Sequence, residues 1–463
     1  MQISRGAYEE KWCLLACGAV FWLAGFAGSL QAAGFALFEQ SASGVGHAFA
    51  GASVAAEDAS TVYYNPAGLT RLPGSQLVLV GQAIHTGVEF SDRGSSTLNG
   101  MLPLSGNDGQ QAGDWFLVPS FYYARDIGER LKFGLGVNTP YVLKTEYDSA
   151  WVGRYDAIKS EVKTVNINPA FAYQVNDRLS VGAGISAQYI SAELTNAIDY
   201  GSTCAIFSAD QQLAPFLAGC ASPQAHDGYL KLTGSDWSWG YNLGVLFEPS
   251  ADTRIGLAYR SRIRHELEGD ARFSAAPAEL GIIPGFSSAV ANGSIKADLT
   301  LPETASIGFM QQLDSKWTLM GDITWTRWSC FKELRVERKN GELVGVTPEN
   351  WHNTRRYAIG LRYQYSPSLK LRAGLAYDES PVPDGYRTPR IPDEDRRIFA
   401  LGASYQLDAN DLIDIGFAHF FVKKTSLDLE TPVVDAVPQV TRNLRGDYDI
   451  SATFFSLQYT HHF

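Results

Sequence analysis

Charge is sparse in this chain and long apolar runs are missing. Asp, Glu, Lys and Arg make up 19% of 463 residues. Beyond the N-terminus no stretch reaches the ~18 consecutive apolar residues of a transmembrane helix, which excludes a helical membrane bundle. Catalytic signatures are missing too: there is no nucleophile elbow, metal-binding helix or phosphate loop. No enzyme activity and no cofactor are expected. A formal net charge of −11 argues against nucleic acid as a partner. No linker divides the chain, which argues against a string of soluble β-sandwich domains. Cysteines number only five. Cys13 and Cys17 fall in the N-terminal apolar stretch. Cys204 and Cys220 flank one loop and are placed to form a disulfide in an oxidising compartment; Cys330 is left over.

Aromatic side chains (12%) and glycine (44 residues) are plentiful. The apolar residues alternate rather than cluster, which suits a transmembrane β-barrel whose strands show lipid every second residue. Trp237, Trp239, Tyr241, Leu243, Val245 and Phe247 share one face, opposed by Ser238, Gly240, Asn242 and Gly244. The same period recurs at Tyr357, Ile359, Leu361, Tyr363 and Tyr365, and again from Leu371 to Tyr377 and from Phe399 to Leu407. A β-sandwich has this period with its large residues inward. The period alone does not separate the two; the N-terminal signal, the terminal residue and the loop asymmetry do.

The alternation predicts an all-β fold, an antiparallel transmembrane barrel of about fourteen strands. They lie near 75–90, 114–125, 130–140, 159–175, 178–195, 236–248, 253–268, 293–311, 316–329, 354–366, 369–380, 396–407, 411–424 and 450–463. Short turns alternate with long loops near 91–113, 141–158, 196–235, 269–292, 330–353, 381–395 and 425–449. Short turns belong on the periplasmic side and long loops outside, which places both termini in the periplasm.

Residues 1–32 read as a signal peptide, with Arg5 and Lys11 before an apolar stretch and Leu30-Gln31-Ala32 as the cleavage site. Residues 33–73 are glycine-rich and too poor in large apolar side chains to build a core. They are expected to form a plug, or hatch, inside a barrel made by 74–463. Within the hatch, Ala48 to Asp58 is predicted as a short helix, Val62-Tyr63-Tyr64 as strand-like, and Asn65-Pro66 as the start of a turn. At the other end Phe455, Leu457, Tyr459 and Phe463 share a face. A C-terminal Phe in this alternation resembles the signal that barrels present to the barrel-assembly machinery. His461 and His462 point to opposite faces of a strand, so no metal site is expected there.

Several stretches carry a family resemblance. They are Ala33-Gly34-Phe35-Ala36-Leu37, Ser43-Gly44-Val45-Gly46, the run from Ala55 to Val62, Asn65-Pro66-Ala67-Gly68-Leu69, Trp151-Val152-Gly153-Arg154-Tyr155 and Val165-Asn166-Ile167-Asn168-Pro169. With them the chain resembles the FadL/TodX-like outer-membrane transporters of long-chain fatty acids and aromatic hydrocarbons, over its whole mature length. The resemblance implies a monomeric fourteen-stranded barrel in the lipid of a Gram-negative outer membrane. Phe35, Asn65, Pro66 and Ala67 then belong to the hatch.

Two long loops are unusually apolar, and such patches mark interaction sites unless they pack as loop cores. The candidates are Phe207, Leu213, Phe216 and Leu217 in one, and Leu280, Ile282 and Phe286 in the other. The resemblance implies that these loops form a groove for first capture of a hydrophobic ligand. A fatty acid carboxylate needs a cation. Arg260, Arg262, Arg356, Arg362 and Arg372 are predicted to face the lumen, where they either meet a ligand or pair with acidic residues. The family's cation on the fifth strand is missing between Ile185 and Leu194, which leaves room for neutral hydrocarbons. The third strand holds Gly134, Gly136, Asn138 and Pro140, which predicts a kink. The family uses such a kink as a lateral exit; simple curvature is the alternative.

The function expected is passive outer-membrane transport of hydrophobic molecules, long-chain fatty acids first, through groove capture, hatch movement and lateral exit. The alternatives are neutral aromatic or aliphatic hydrocarbons by the same route, a general porin, or a surface adhesin.

Overall fold

The computed structural model describes residues 34–463; the signal peptide and its cleavage site lie outside them. Fourteen antiparallel strands close into one barrel. They are β1 (Gln76–Asp92), β2 (Trp115–Asp126), β3 (Leu131–Asn138, resumed at Val142–Glu146), β4 (Lys159–Asn176), β5 (Leu179–Asp199), β6 (Asp227–Ser250) and β7 (Thr253–Arg260, resumed at Ile263–Phe273). Then follow β8 (Gly293–Leu301, resumed at Thr304–Gln312), β9 (Trp317–Thr326), β10 (Thr354–Gln364), β11 (Leu369–Asp378), β12 (Arg396–Gln406), β13 (Asp411–Val422, resumed at Thr425–Pro432) and β14 (Thr441–His462). Each pairs with the next, and β14 returns to β1 from Gln76↔His462 to Asp92↔Gly446. Closure leaves no sheet edge apart from an interruption at β3, so most backbone groups in the hydrocarbon layer find partners within the wall.

Burial separates a barrel from a sandwich. The large apolar residues of the alternating runs are exposed: Trp239 at 70%, Leu457 at 58%, Ile359 and Leu375 at 56%. Their neighbours Gln458, Asp414, Arg372 and Asn242 are buried. This inverts the soluble pattern and suits a wall standing in lipid.

Several strands run beyond their predicted ends. β6 begins at Asp227, β14 at Thr441, and a hairpin of Glu333–Arg338 with Leu343–Pro348 occupies one predicted loop. These extensions, such as Lys231, Thr233 and Arg442, stand above the apolar zone. The outward face there no longer meets lipid, so the alternating code that reveals a strand is lost.

Residues 34–72 pack against the inward face of the strands. The short helix is Ala42–Val45, capped by the Ser41 side chain, and not the predicted Ala48 to Asp58. There Ala48, Phe49, Gly51 and Ala56 all have positive φ, between 48° and 75°, which stops a right-handed helix. Val62-Tyr63-Tyr64 is not strand-like but one helical turn, Thr61–Tyr64. Among the described residues no strand pairs with it; the wall takes its carbonyls instead, with Asn242 Nδ2 donating to Val62 O and Arg260 Nη2 to Tyr63 O.

Asn65 begins the Pro66–Arg71 3₁₀ turn by accepting from Ala67 N, and its Nδ2 donates to Ser53 O and to Val245 O of the wall. Gly182 and Gly244, paired across β5 and β6, make room for this turn. A Cβ on Gly244 would fall on Asn65 Oδ1, and one on Gly182 would fall on Pro66 and Ala67. Farther round the ring Glu57 lies between Arg362 (2.9 Å) and Arg372 (2.6 Å), and Arg372 also holds Asp414 at 2.9 Å.

Gly244→Leu should therefore unseat the hatch and leave the wall intact, since the β5–β6 ladder uses only backbone. Purified protein should keep its folded gel mobility and gain ion conductance in a planar bilayer. Conductance equal to that of the parent protein would show that the glycine pair does not seat the turn.

Candidate functional site

An apolar cavity of about 90 Å³ lies above the start of the hatch. Phe35, Leu143, Val162, Leu267, Leu299 and Phe331 line it among others. Phe35 forms its floor and sits in an aromatic cluster with Tyr141 (5.9 Å), Trp328 (5.1 Å), Phe331 (6.2 Å) and Trp351 (5.9 Å) between ring centres. Gly34, with φ +64°, lets the chain turn beneath Trp351, and its N–H donates to Asp393.

Three ionisable residues lie in its lining: Lys296, which is exposed, and Arg390 and Glu349, which are withdrawn from solvent. Arg390, from the loop before β12, donates to Ser160 Oγ (3.0 Å), Asn196 Oδ1 (3.2 Å) and the carbonyls of Lys159 and Thr195. These acceptors are neutral. Burial is the main influence on the guanidinium and pulls its pKa down to about 10. Glu349 stands on the hairpin loop before β10. Burial pushes its carboxyl up to about 8 against the opposing hydrogen bond from Trp351 Nε1 at 2.9 Å. At neutral pH the cavity thus carries a cation beside a neutral acid. A carboxylate with an apolar tail matches both features. Sequence reasoning missed Arg390 and Glu349 because they lie in loops, where no alternation reports which way a side chain points.

The predicted lumen cations divide. Arg362 and Arg372 are neutralised by Glu57 and Asp414. Arg356 donates to Ala48 O at 2.6 Å and lies over the Phe38 ring. Arg260 stacks on Tyr63 and faces a second cavity. Arg262 is a correction: it is exposed and does not face the lumen. β7 breaks at Ser261 and Arg262, where Ser261 inserts its Oγ and N–H against Tyr241, and the added residue reverses the alternation.

The two apolar loops pack together, and the Cys204–Cys220 disulfide is present with a Cα–Cα distance of 5.8 Å. Leu217 and Leu280 are buried in the loop core, with Phe207, Leu213 and Phe286 packed partly against it. These two leucines do not line an open groove here; they join Tyr200, Cys204, Cys220 and Ile283 in the loops' own core. Phe216 (63% exposed) and Ile282 (42%) remain on the surface.

The wall is interrupted at β3. Its ladder with β2 runs from Lys132↔Asp126 to Val137↔Phe121 and stops. After Thr139-Pro140 the strand resumes, and Val142–Glu146 pairs with β4. The hatch takes up the freed backbone: Leu37 N donates to Pro140 O (2.8 Å) and Val142 N to Phe35 O (2.9 Å). Asn138 holds the break from inside, accepting from Asn166 Nδ2 at 3.0 Å. Gly134 and Gly136 sit below it, inside the paired stretch. Their missing side chains leave space for Val62, with Leu69 against Gly134 and Tyr122 against Gly136.

Residues 23–463 match the family model for outer membrane protein transport proteins (OMPP1/FadL/TodX). A putative outer membrane protein of Neisseria meningitidis serogroup B is 33% identical over 86% of this chain and 88% of its own length. A long-chain fatty acid transport protein of Escherichia coli O6:H1 is 30% identical over 85% of this chain and 87% of its own. The crystal structure of a Pseudomonas aeruginosa FadL homologue superposes with a TM-score of 0.84 at 26% identity, covering 93% of this chain and all of that one. The toluene transporter TodX of P. putida shares the fold, with a TM-score of 0.64 at 20% identity over 88% of this chain and 94% of that one. The chain belongs to the OMPP1/FadL/TodX family of outer-membrane transport proteins, channels for hydrophobic molecules rather than enzymes.

Proposed function

We propose that the molecules carried by this chain are long-chain fatty acids. The observation that carries this reading is Arg390, a guanidinium held by neutral acceptors in the wall of a largely apolar cavity. Relatives named as long-chain fatty acid transport proteins support it. The exposed loop residues Phe216 and Ile282 make first contact with the ligand. The alkyl chain then enters the cavity above Phe35, where each buried methylene adds about 0.8 kcal/mol. The carboxylate meets Arg390 through a charge-assisted hydrogen bond. Withdrawal of Phe35 breaks its backbone contact with Val142 and frees the interrupted edge of β3, through which the ligand leaves sideways into the outer leaflet. Transport is passive. Neutral hydrocarbons are the second reading, favoured by the lack of a cation on β5 between Ile185 and Leu194.

Uptake of labelled oleate and labelled toluene, side by side in cells lacking their own transporter, separates the two readings. Arg390→Gln should lower oleate affinity by roughly tenfold or more, the worth of a charged hydrogen bond, and leave toluene uptake unchanged. Equal oleate affinity in parent and variant would sink the carboxylate reading.

The Glu349 carboxyl, neutral below about pH 8 and charged above it, adds a pH signature. Oleate binding to purified protein should weaken as pH rises through this value, because the new charge faces the ligand carboxylate across the cavity. Glu349→Gln should flatten that part of the profile. Phe216→Asp should raise the oleate concentration needed for half-maximal uptake while the barrel keeps its folded gel mobility.

A further inference from the structure

The second cavity, of about 70 Å³, lies on the far side of the hatch start from the first. Phe35 lines the upper cavity and its neighbour Ala36 lines the lower one. The two share no lining residue, and Phe35 of the upper cavity meets Tyr141 of the lower one at 5.9 Å between ring centres. The two differ in chemistry. The lower cavity is lined largely by hydroxyl groups and aromatic rings, among them Tyr141, Tyr259, Ser306 and Thr324. Pro140 and Tyr141, at the interruption of β3, form part of its wall.

Arg260 supplies its cation. The guanidinium lies 4.2 Å above the Tyr63 ring, with Nη1 donating to Ser186 Oγ (3.2 Å) and Nη2 to Tyr63 O (2.8 Å). Both acceptors are neutral. A guanidinium carries five N–H donors, so this one has capacity left for an anion. Arg362 and Arg372 are already satisfied by Glu57, and Arg372 also by Asp414. Stacking on Tyr63 fixes the plane of Arg260, which limits the entropy lost when it binds a planar carboxylate.

We propose that Arg260 is a second carboxylate station beneath Phe35, which receives the head group of an alkyl carboxylate after it leaves Arg390. The inference rests on the reading of this chain as a fatty acid carrier. In it the anion passes between two cations and so avoids crossing the hatch as an unpaired charge in an apolar site. The lower station also places the head group next to the interrupted wall.

The test compares Arg260→Gln, Arg260→Lys and Arg390→Gln in three assays: oleate affinity of the purified protein, cellular uptake of oleate, and cellular uptake of toluene. Arg260→Gln should cut oleate uptake about tenfold while oleate affinity and toluene uptake stay at parental values. Arg260→Lys should restore most of the uptake, because the charge is kept. Bilayer conductance controls for the hatch, since Arg260 also holds Tyr63 O. Equal loss of oleate and toluene uptake with a rise in conductance would show a hatch anchor and overturn the station. Parental oleate uptake in Arg260→Gln, with oleate affinity lost in Arg390→Gln, would overturn the lower station alone. Parental oleate affinity in Arg390→Gln and parental oleate uptake in both glutamine variants would overturn the upper site as well.

Discussion

A closed ring of strands in lipid must turn its polar residues inward, and most features of this molecule follow from that. The lumen face carries Arg362, Arg372, Asp414 and Gln458. Such groups are costly to bury without partners. The hatch supplies them. Glu57 stands between two guanidiniums, Asp58 meets Gln458, and hatch carbonyls accept from Asn242, Arg356 and Arg260. The dependence is mutual: a segment this short and glycine-rich has no core of its own, and its order comes from the wall.

The hatch is not held evenly. Its later part is fixed by the Glu57 ion pairs and by the Asn65-Pro66-Ala67 turn on Gly182 and Gly244. Its start is held by the Phe35 ring cluster, by backbone bonds to Pro140 and Val142, and by the Asp393 carboxylate, which accepts from Gly34 N. Local opening draws on the least anchored elements. The same few residues therefore floor the upper cavity, wall the lower one and cover the interruption in β3.

The two cavities differ in chemistry. The upper one, above Phe35, matches an alkyl tail; the lower one, with its hydroxyl groups and Arg260, matches a head group. Arg390 and Arg260 stand on opposite sides of the hatch start and share one trait: the hydrogen bonds that hold them go to neutral acceptors.

The barrel was legible in the sequence because a lipid-facing wall writes itself as a two-residue period. Trp237 to Phe247 and Tyr357 to Tyr365 announce their strands and the direction of each side chain. The asymmetry of loop lengths and the Asn65-Pro66-Ala67 turn were equally local, and so was the Cys204–Cys220 pair. The period failed where its cause was absent. It could not register the inserted residue that turns Arg262 outward, nor the strand extensions standing above the apolar zone. It gave no view of the hatch, whose backbone follows the wall and not its own propensity, so that Ala48 to Asp58 is left-handed turns instead of a helix. The choice among the arginines was tertiary as well. Arg362 and Arg372 differ from Arg260 only in which residues lie across the lumen, and Arg390 reaches its cavity from a loop without periodicity. By itself the sequence determined the wall, because each strand must meet lipid locally; the folded ring alone decided which lumen charges are neutralised, because Glu57 lies 305 residues from Arg362 and 315 from Arg372.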